Sequence, residues 1–437
     1  MARPLTPNVL SEPVTVTIAK LIHGGRGMGR IGDLPIFVEG ALEGERVEAT
    51  ITRTHTDYIE ARVTRIIEAS AHRVAAPCRL FGTCGGCQLQ HLAPVAQSDA
   101  KRAILQETLR RLGGLDVEVP PIAPSPEPYG YRLRAGIQAR AVGGRAVLGF
   151  YESKTHTVVP MTSCAVLHPR LQAAIEPLRA SLDQPSLRAM GCAAVEMQTT
   201  SASDRLVIVF HLRRLDRRSL GTVGRALQAA LPLAGVVAYD RRGHHRWVGG
   251  ADALDERIAG ALCRVSDRTF LQINAGVNAA MVSTVVEWAS LRGHERVVDL
   301  YAGFGNFTLP LAARAAHATA VESTPSAAAD ARVNARRHGV PMTVVSAQVE
   351  SWNPAPEDLA PDLLVVDPPR GGLTPRAIDR VIALAPARIL YVSCEPSTLS
   401  RDIRRLGPAG YRLTRAAGFD LFPQTAHLET IAELVRS

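Results

Sequence analysis

The feature that most constrains the fold of this chain is an alternation of apolar, strand-like runs and helical segments over residues 266–437. Three of the apolar runs end in polar or glycine-rich clusters, which begin at Tyr301, Asp367 and Cys394. Strand–helix alternation at this spacing predicts an α/β fold with a parallel, doubly wound sheet. Because ligands of such sheets bind at the carboxyl ends of the strands, we expect the three clusters to line one site.

The other elements of this region follow from apolar periodicity and from the positions of glycine and proline. Helices are predicted over residues 275–291 and 375–385, from Thr308, and from Pro325 up to Gly339. Further strands are predicted over 318–322, 342–346, 411–416 and 428–434. Together these elements predict a Rossmann-like domain over residues 266–437.

Two further domains are predicted before this one. Residues 1–70 contain short alternating runs separated by glycine-rich turns, which is typical of a small closed β-barrel of the OB type. Such barrels bind oligonucleotides or serve as scaffolding. Residues 71–265 contain a cysteine-rich loop, a helix over about 95–112, a proline-rich connector and then mixed strands and helices. This middle segment is predicted to be an α+β domain.

The excess of positive charge lies in the middle segment. The chain carries a formal net charge of +9, and residues 71–265 contain 25 basic against 15 acidic side chains. Residues 266–437 are neutral, and residues 1–70 carry a net charge of −1. This distribution favours a surface that binds a polyanion such as RNA beside a neutral chemical domain. A solvated basic face in an arginine-rich chain is the alternative.

Composition also limits the cellular setting. No run approaches the roughly eighteen apolar residues of a membrane-spanning helix, and the first residues lack the apolar core of a secretion signal. Seven cysteines in 437 residues do not resemble a secreted disulfide scaffold. A cytoplasmic protein without a membrane partner is expected.

A nucleoside-containing cofactor is predicted at the first strand end. Gly303-Phe304-Gly305 follows a strand and precedes a helix, so the backbone there can approach a ligand closely. Glu322 ends the next strand, where an acidic side chain can bind ribose hydroxyls. The third glycine of the dinucleotide fingerprint is missing, which disfavours NAD and FAD. S-adenosylmethionine or another nucleoside cofactor fits this pair.

The other two clusters carry the candidate chemistry. Prolines stiffen Asp367-Pro368-Pro369-Arg370 and are expected to aim Asp367 into the crevice, although a plain strand-end turn is the alternative. Cys394 is interpreted as a nucleophile, because a helix is predicted to begin near Ser397 and a helix N-terminus lowers the pKa of a thiol. Cys192 and Cys263, by contrast, fit small buried hydrophobic positions.

A second set of cysteines indicates an inorganic centre. Cys78, Cys84 and Cys87 form a C-x5-C-x2-C pattern with glycines between them, and Cys164 follows 77 residues later. Four thiolates suit an iron–sulfur cluster or a structural zinc ion, and the pattern alone leaves both open.

With these residues in place, the chain resembles the RNA uracil-5-methyltransferases, most closely their ribosomal RumA/RlmD branch. The resemblance covers nearly the whole chain and includes the cysteine set and a TRAM-like first domain around Gly27-Met28-Gly29-Arg30. Five ordered blocks carry it further: Phe270-Leu271-Gln272-Ile273-Asn274, residues 299–307, Asp367-Pro368-Pro369-Arg370, Ser393-Cys394-Glu395-Pro396 and His427-Leu428-Glu429.

The resemblance implies a role for each site residue. Cys394 would be the nucleophile and Glu429 the base. The residues that would bind S-adenosylmethionine are Gln272, Tyr301, Gly303, Asn306, Glu322 and Asp367. Cys78, Cys84, Cys87 and Cys164 would hold a [4Fe-4S] cluster.

Three positions depart from the family pattern. Ala302 replaces a cysteine, Gln348 stands where an asparagine would touch adenosine, and Glu395 replaces the Asn or Asp beside the nucleophile. A carboxylate at Glu395 would tend to raise the pKa of the neighbouring thiol.

The expected function is S-adenosylmethionine-dependent methylation of uracil C5 in RNA, with 23S ribosomal RNA favoured as the substrate and a monomer as the working form. Transfer RNA is the alternative target. A non-catalytic RNA-binding assembly factor is the alternative from another class, and cytosine-5 methylation by similar thiol chemistry is a third possibility.

Overall fold

The computed structural model describes residues 13–243 and 246–437, and three large β-sheets organise this part of the chain. The first sheet contains β1 (Val14–Thr17), β2 (Lys20–Ile22), β3 (Arg26–Ile31), β4 (Leu34–Glu39), β5 (Arg46–Thr54) and β6 (Ile59–Glu68). Their order is β1-β5-β6-β4-β3-β2. We call this sheet the barrel.

The barrel curls until β1 and β3, which are not hydrogen-bonded neighbours, press against each other. A Cβ atom on Gly29 of β3 would lie 2.6 Å from the Thr17 carbonyl oxygen and 2.5 Å from a methyl group of Val16. The Ala19 N–H also donates to the Met28 carbonyl oxygen at 2.8 Å. Only glycine allows this approach, which brings the edge strand β1 against β3 and curls the sheet.

The middle sheet has seven strands. They are β7 (Arg134–Val142), β8 (Arg145–Tyr151), β9 (Val158–Pro160), β10 (Cys192–Gln198), β11 (Leu206–Leu212), β12 (Leu233–Asp240) and β13 (Arg246–Gly250). Their order is β13-β12-β11-β10-β7-β8-β9. Three helices accompany them: α2 (Pro169–Leu182), α3 (Pro185–Met190) and α4 (Arg217–Ala230). Buried leucines of these helices and the inner face of the sheet form one apolar core.

A two-stranded hairpin, β14 (Ala253–Ile258) and β15 (Ala261–Ser266), leads from the middle sheet to the C-terminal sheet. The C-terminal sheet contains β16 (Arg296–Leu300), β17 (His317–Glu322), β18 (Met342–Ser346), β19 (Leu363–Val366), β20 (Arg388–Ser393), β21 (Tyr411–Phe419) and β22 (Glu429–Arg436). Their order is β18-β17-β16-β19-β20-β22-β21.

The parallel, doubly wound sheet predicted from the sequence is confirmed, with one antiparallel strand. The pairs among β16 to β20 are parallel, whereas β22 is antiparallel to both β20 and β21. A parallel partner needs a crossover, usually a helix. Only a loop joins β21 to β22, so this connection makes a hairpin and reverses β22.

The helices of this region are α5 (Ala275–Ala289), α6 (Thr308–Ala312), α7 (Pro325–His338), α8 (Pro375–Leu384) and α9 (Pro396–Leu406). The predicted helix ends at 339 and 385 agree with the structure, because Gly339 and Ala385 adopt left-handed caps. The helix predicted from Thr308 is only five residues long. None of the helices in the described residues is long and apolar enough to cross a membrane.

Part of the middle segment packs on the C-terminal sheet. Helix α1 (Pro94–Thr108) continues as a π-helical turn to Gly113, and its Leu105 joins a core with Leu406 of α9 and with β20. Buried Lys101 of α1 binds the Asp420 carboxylate at 2.6 Å. The hairpin β14–β15 likewise contacts α7, where Arg264 binds Asp330 at 3.0 Å. These contacts join the segments around the C-terminal sheet.

Candidate active site

The three clusters predicted from the sequence meet at one edge of the C-terminal sheet. Strands β16, β19 and β20 are neighbours, and Leu300 pairs with Val366, which pairs with Tyr391. Their carboxyl ends therefore lie side by side, and the chain leaves this edge at Tyr301, Asp367 and Cys394.

The glycine loop after β16 is bound directly to Glu322. The Gly303 N–H donates to Glu322 Oε2 at 2.9 Å, and the Thr324 N–H donates to Oε1 of the same carboxylate. Tyr301 has φ of +65° and Gly303 has φ of +59°, which turn the chain sharply at the strand end. The acid and the loop that were expected to share a cofactor are thus adjacent.

Asn306 and Gln272 are both nearly buried. The Asn306 side-chain amide is paired with that of Asn278 on α5, through reciprocal hydrogen bonds of 2.8 and 3.0 Å. Gln272 lies between Leu271 and Ile273, whose apolar side chains pack into two core clusters. The loop after β16 and helix α5 are therefore held together next to the glycine turn.

Asp299, at the end of β16, was part of a quoted block but was not predicted as a site residue. It is 1% exposed, its Oδ2 accepts a hydrogen bond of 2.5 Å from the Thr308 hydroxyl, and its Oδ1 is buried without a partner. Burial raises the pKa of Asp299 to about 8, and the charges of Asp367 and Glu322 add to this effect. One buried carboxyl oxygen at the end of β16 is therefore left without a hydrogen-bond partner.

Glu429 and Cys394 face each other across the β20–β22 pair. Ser393 pairs with Thr430 in antiparallel register, so the residue after Ser393 lies beside the residue before Thr430. Burial raises the pKa of Glu429 well above its usual range, and the Asp367 charge raises it further. Burial also raises the pKa of Asp367 to about 7. Two carboxyl groups that ionise reluctantly therefore flank the thiol.

The low thiol pKa expected for Cys394 is wrong for this structure. Burial raises the pKa to about 12, and the charges of Glu429 and Asp367 contribute, whereas Arg370 lowers it. Helix α9 does begin at Pro396 as predicted, but Cys394 precedes the N-cap residue Glu395. Desolvation and the two acids outweigh the helix dipole, whose effect fades within a turn.

Glu395, expected to disfavour the thiolate, has both carboxylate oxygens engaged elsewhere. Oε1 accepts from the Ser397 hydroxyl at 2.7 Å and from the Ser397 N–H at 3.3 Å, which caps α9. Oε2 lies 3.2 Å from Nε2 of His23, a residue of the barrel.

Arg370 and His427, quoted in the sequence blocks but given no role, also belong to this edge. Nη2 of Arg370 lies 3.3 Å from Nε2 of His427. Burial, with the charge of Arg370 next in size, lowers the pKa of His427 to about 4. An exposed cation and a neutral imidazole thus stand at the mouth of the site.

The loop that leads into Glu429 is held by segments far away in the sequence. The carbonyl oxygen of Gln424 accepts from the N–H groups of Gln88 and Leu89, at 3.0 and 2.9 Å. The Tyr131 hydroxyl donates to the Pro423 carbonyl oxygen at 2.9 Å. Because Gln88 directly follows Cys87, the cysteine loop is bound to the loop that leads into the candidate base.

The four cysteines predicted as cluster ligands are free and half-buried. Cys87 and Cys164 pack against the same small apolar cluster, and Cys78 and Cys164 line one cavity. Burial raises the pKa of Cys87 to about 12, and the charges of Cys164, Cys84 and Cys78 add to this effect. No group of His, Cys, Asp and Glu within residues 13–243 and 246–437 is arranged to hold a metal ion. The iron–sulfur cluster therefore stays a prediction.

Comparison with known families accounts for most of the chain. Residues 94–348 and 357–437 match the tRNA (Uracil-5-)-methyltransferase family, and residues 12–64 match the TRAM domain. This chain belongs to the RNA uracil-5-methyltransferase family. The enzyme class expected from the sequence is confirmed, as are the TRAM domain and the α/β methyltransferase fold.

Two relatives extend along nearly the whole chain. The 23S rRNA (uracil(1939)-C(5))-methyltransferase RlmD of Chromohalobacter salexigens is 39% identical over 431 residues, covering 96% of this chain and 89% of the relative. The RlmD protein of Edwardsiella ictaluri is 36% identical over 425 residues, covering 95% and 94%.

One solved structure has the same overall architecture. The Pyrococcus abyssi tRNA (uracil-54, C5)-methyltransferase, in complex with S-adenosyl-L-homocysteine, superposes with a TM-score of 0.75 and covers 96% of this chain and 99% of that one. At 24% sequence identity, this likeness supports the fold.

Proposed function

We propose that this protein methylates C5 of a uracil in 23S ribosomal RNA, with S-adenosylmethionine as the methyl donor. The observation that carries the proposal is the meeting of Cys394, Glu429 and Asp367 beside the Gly303–Glu322 pair, in a chain to which RlmD relatives align over almost its full length.

Cys394 is proposed as the nucleophile. C5 of uracil is too weak a nucleophile to accept a methyl group unaided, and addition of the Cys394 thiolate to C6 places enolate density on C5. S-adenosylmethionine supplies an electrophilic methyl group, which C5 then accepts. The positively charged Arg370 favours the thiolate, against the effects of burial and of the neighbouring acids.

Glu429 is proposed as the base that removes the C5 proton, after which the Cys394–C6 bond breaks and the thiolate leaves. Its position across the strand pair from Cys394 places it beside the bound pyrimidine ring. A carboxyl group with a raised pKa is a stronger base once ionised, which suits abstraction of a proton from carbon.

The cofactor is proposed to lie over the glycine loop. Glu322 would bind the ribose hydroxyls in place of its present backbone donors, while Gln272, Tyr301, Gly303, Asn306 and Asp367 line the remaining contacts. The unpaired Oδ1 of Asp299 supports a polar ligand at this strand end.

RNA is proposed to bind an arginine-lined cleft of the middle domain, which we call the arginine cleft. A cavity of about 440 Å³ is lined by four exposed arginines, Arg140, Arg145, Arg188 and Arg213. Arg140 donates to the Ala193 carbonyl and to the Tyr151 hydroxyl. Because both acceptors are neutral, the positive charge of Arg140 can still attract a phosphate group. Exposed guanidinium groups in a cleft suit the RNA backbone.

The cysteine set fits a [4Fe-4S] cluster in its donor chemistry. Four unbridged, half-buried thiols lie in one neighbourhood. Burial and the charges of its neighbours make the thiolate of Cys87 costly unless a cationic centre compensates. Cys78, Cys84, Cys87 and Cys164 would hold the cluster, which would cross-link the cysteine loop to the middle sheet.

The proposed domains remain 1–70, 71–265 and 266–437, and the proposed working form is a cytoplasmic monomer.

The test is mass-spectrometric mapping of 5-methyluridine in RNA from cells with and without the gene. Loss at one site of 23S RNA, restored by the wild-type gene, is the expected result. Loss confined to transfer RNA would change the substrate and keep the chemistry. An unchanged 5-methyluridine content in both RNAs would overturn the proposal.

A further inference from the structure

The turn between β2 and β3 of the barrel reaches the catalytic edge of the C-terminal sheet. The Gly25 N–H donates to the Ile22 carbonyl oxygen at 3.0 Å and closes the turn. Gly25 is buried at its tip, whereas His23 and Gly24 are exposed.

Gly25 is wedged between two loops of the site. A Cβ atom added to it would lie 3.2 Å from side-chain atoms of Gln88 and Leu89, and 3.3 Å from Cβ of Ala426. The backbone of the turn therefore touches both the end of the cysteine loop and the loop that leads into Glu429. With φ of +76°, the position also favours glycine on conformational grounds.

His23 contacts the residue next to the nucleophile. Its Nε2 lies 3.2 Å from Oε2 of Glu395. The His23 side chain is 46% exposed and the Glu395 side chain is 20% exposed. The other carboxylate oxygen of Glu395 caps α9 through Ser397. One acid is thus shared between the helix that follows Cys394 and the barrel.

Among the described residues, the other cations near the turn are paired with carboxylates, except Arg370. Lys20 pairs with Glu107 of α1, and Arg26 pairs with Glu60 at 2.9 Å within the barrel. From the loop before β22, His427 is held neutral by burial and lies beside Arg370. Lys101, behind that loop, is paired with Asp420. His23 and Glu395 therefore form a local pair of opposite charge.

We propose that the β2–β3 turn is part of the catalytic centre, and that His23 is a positioning residue that holds the Glu395 carboxylate in its helix-capping position and balances its charge beside the Cys394 thiol. The inference rests on the proposed role of Cys394. It also explains how a carboxylate is tolerated next to a thiol that must ionise.

The pH response of the pair follows from its electrostatics. Burial opposes ionisation of Glu395, but hydrogen bonds from His23 and Ser397 lower its pKa to about 2, so it is charged at all working pH values. The hydrogen bond to Glu395 raises the pKa of His23. Protonated His23 therefore balances the Glu395 charge fully below the ordinary pKa of histidine. This balance is lost as pH rises through the raised pKa of His23.

The experiment measures the reactivity of Cys394 in the full-length protein, without RNA or methyl donor. Alkylation by iodoacetamide is followed over pH by mass spectrometry of the Cys394 peptide in wild type, H23Q, H23K, E395Q and the double variant H23Q/E395Q. We expect H23Q to be alkylated about tenfold more slowly below the thiol pKa, corresponding to roughly one pKa unit. H23K should react at least as fast as wild type, and faster once His23 has lost its proton.

The double variant tests whether the Glu395 carboxylate causes the slower alkylation of Cys394 in H23Q. With the carboxylate removed, H23Q/E395Q should react at the rate of E395Q. Equal rates for wild type and H23Q, or a double variant as slow as H23Q, would overturn the proposal. H55Q, which changes another barrel histidine, is the matched control and should react like wild type. Because alkylation needs no substrate, this outcome is separate from whether the protein methylates uracil.

Discussion

Gln97 and Gln424 hold each other by two hydrogen bonds across 327 positions of sequence. Nε2 of Gln97 donates to Oε1 of Gln424 at 3.0 Å, and Oε1 of Gln97 accepts from the Gln424 N–H at 2.9 Å. Nε2 of Gln97 also donates to the carbonyl oxygens of Leu89 and Leu92. One buried side chain therefore joins α1, the cysteine loop and the loop that leads into Glu429.

Gln97→Ala should lower the free energy of unfolding by about 1–3 kcal/mol, because it leaves several buried polar groups without a partner. We also expect slower methyl transfer, since the loop before Glu429 loses an anchor. Chemical denaturation and single-turnover kinetics measure the two effects. Gln228→Ala, at an exposed position of α4, is the control and should change stability by less than about 0.5 kcal/mol.

Cys394→Ala should bind S-adenosylmethionine and RNA but transfer no methyl group, because no thiolate is left to add to C6. Calorimetry and a radiolabelled methyl-transfer assay test binding and turnover separately. Cys263→Ala removes a buried thiol of β15 and should keep its activity. Normal turnover by the Cys394 variant would exclude it as the nucleophile.

Glu429→Gln should form the covalent RNA–protein adduct and fail to resolve it. The amide cannot accept the C5 proton, so elimination of the thiol is blocked. A band that resists denaturation in gels, absent in Cys394→Ala/Glu429→Gln, is the expected readout. Rapid release of methylated RNA would assign the base to another group.

Binding of S-adenosylmethionine should strengthen as pH rises through about 7. Burial raises the pKa of Asp367 to that value, so this carboxyl group, which we propose contacts the cofactor, is mostly protonated at pH 6 and ionised at pH 8. If only the ionised form binds, affinity should be about tenfold lower at pH 6. Asp367→Asn should flatten this dependence, and S-adenosylhomocysteine, which lacks the positive charge, should show less of it. A dependence unchanged in Asp367→Asn would contradict this assignment.

Arg188→Ala and Arg213→Ala should each weaken RNA binding several-fold and reduce the salt dependence of the binding constant by about one unit of slope. Both side chains line the arginine cleft. Arg179→Ala, whose guanidinium is paired with Glu176 on α2, is the control. Fluorescence anisotropy with an RNA fragment at several salt concentrations separates these cases, and unchanged slopes would place the RNA elsewhere.

Local sequence patterns predicted the C-terminal fold well because its signals are local. Gly339 ends α7 and Pro375 begins α8 at the expected positions, and the polar clusters at Asp367 and Cys394 mark real strand ends. The reversal of β22 was not predicted, since pairing direction depends on how the connection packs. The thiol pKa was predicted in the wrong direction, because the helix N-terminus is visible in sequence whereas the desolvation and buried acids around Cys394 are not.

The sequence by itself determined the family, the order of the elements and the candidates Cys394, Asp367 and Glu429, because motif spacing and apolar periodicity are properties of neighbouring residues. The tertiary structure alone decided which distant segments meet at them. The barrel turn at Gly25, the cysteine loop and α1 all converge on the loop before Glu429. Burial and long-range charge, which set the protonation of the site, exist only once these segments have packed together.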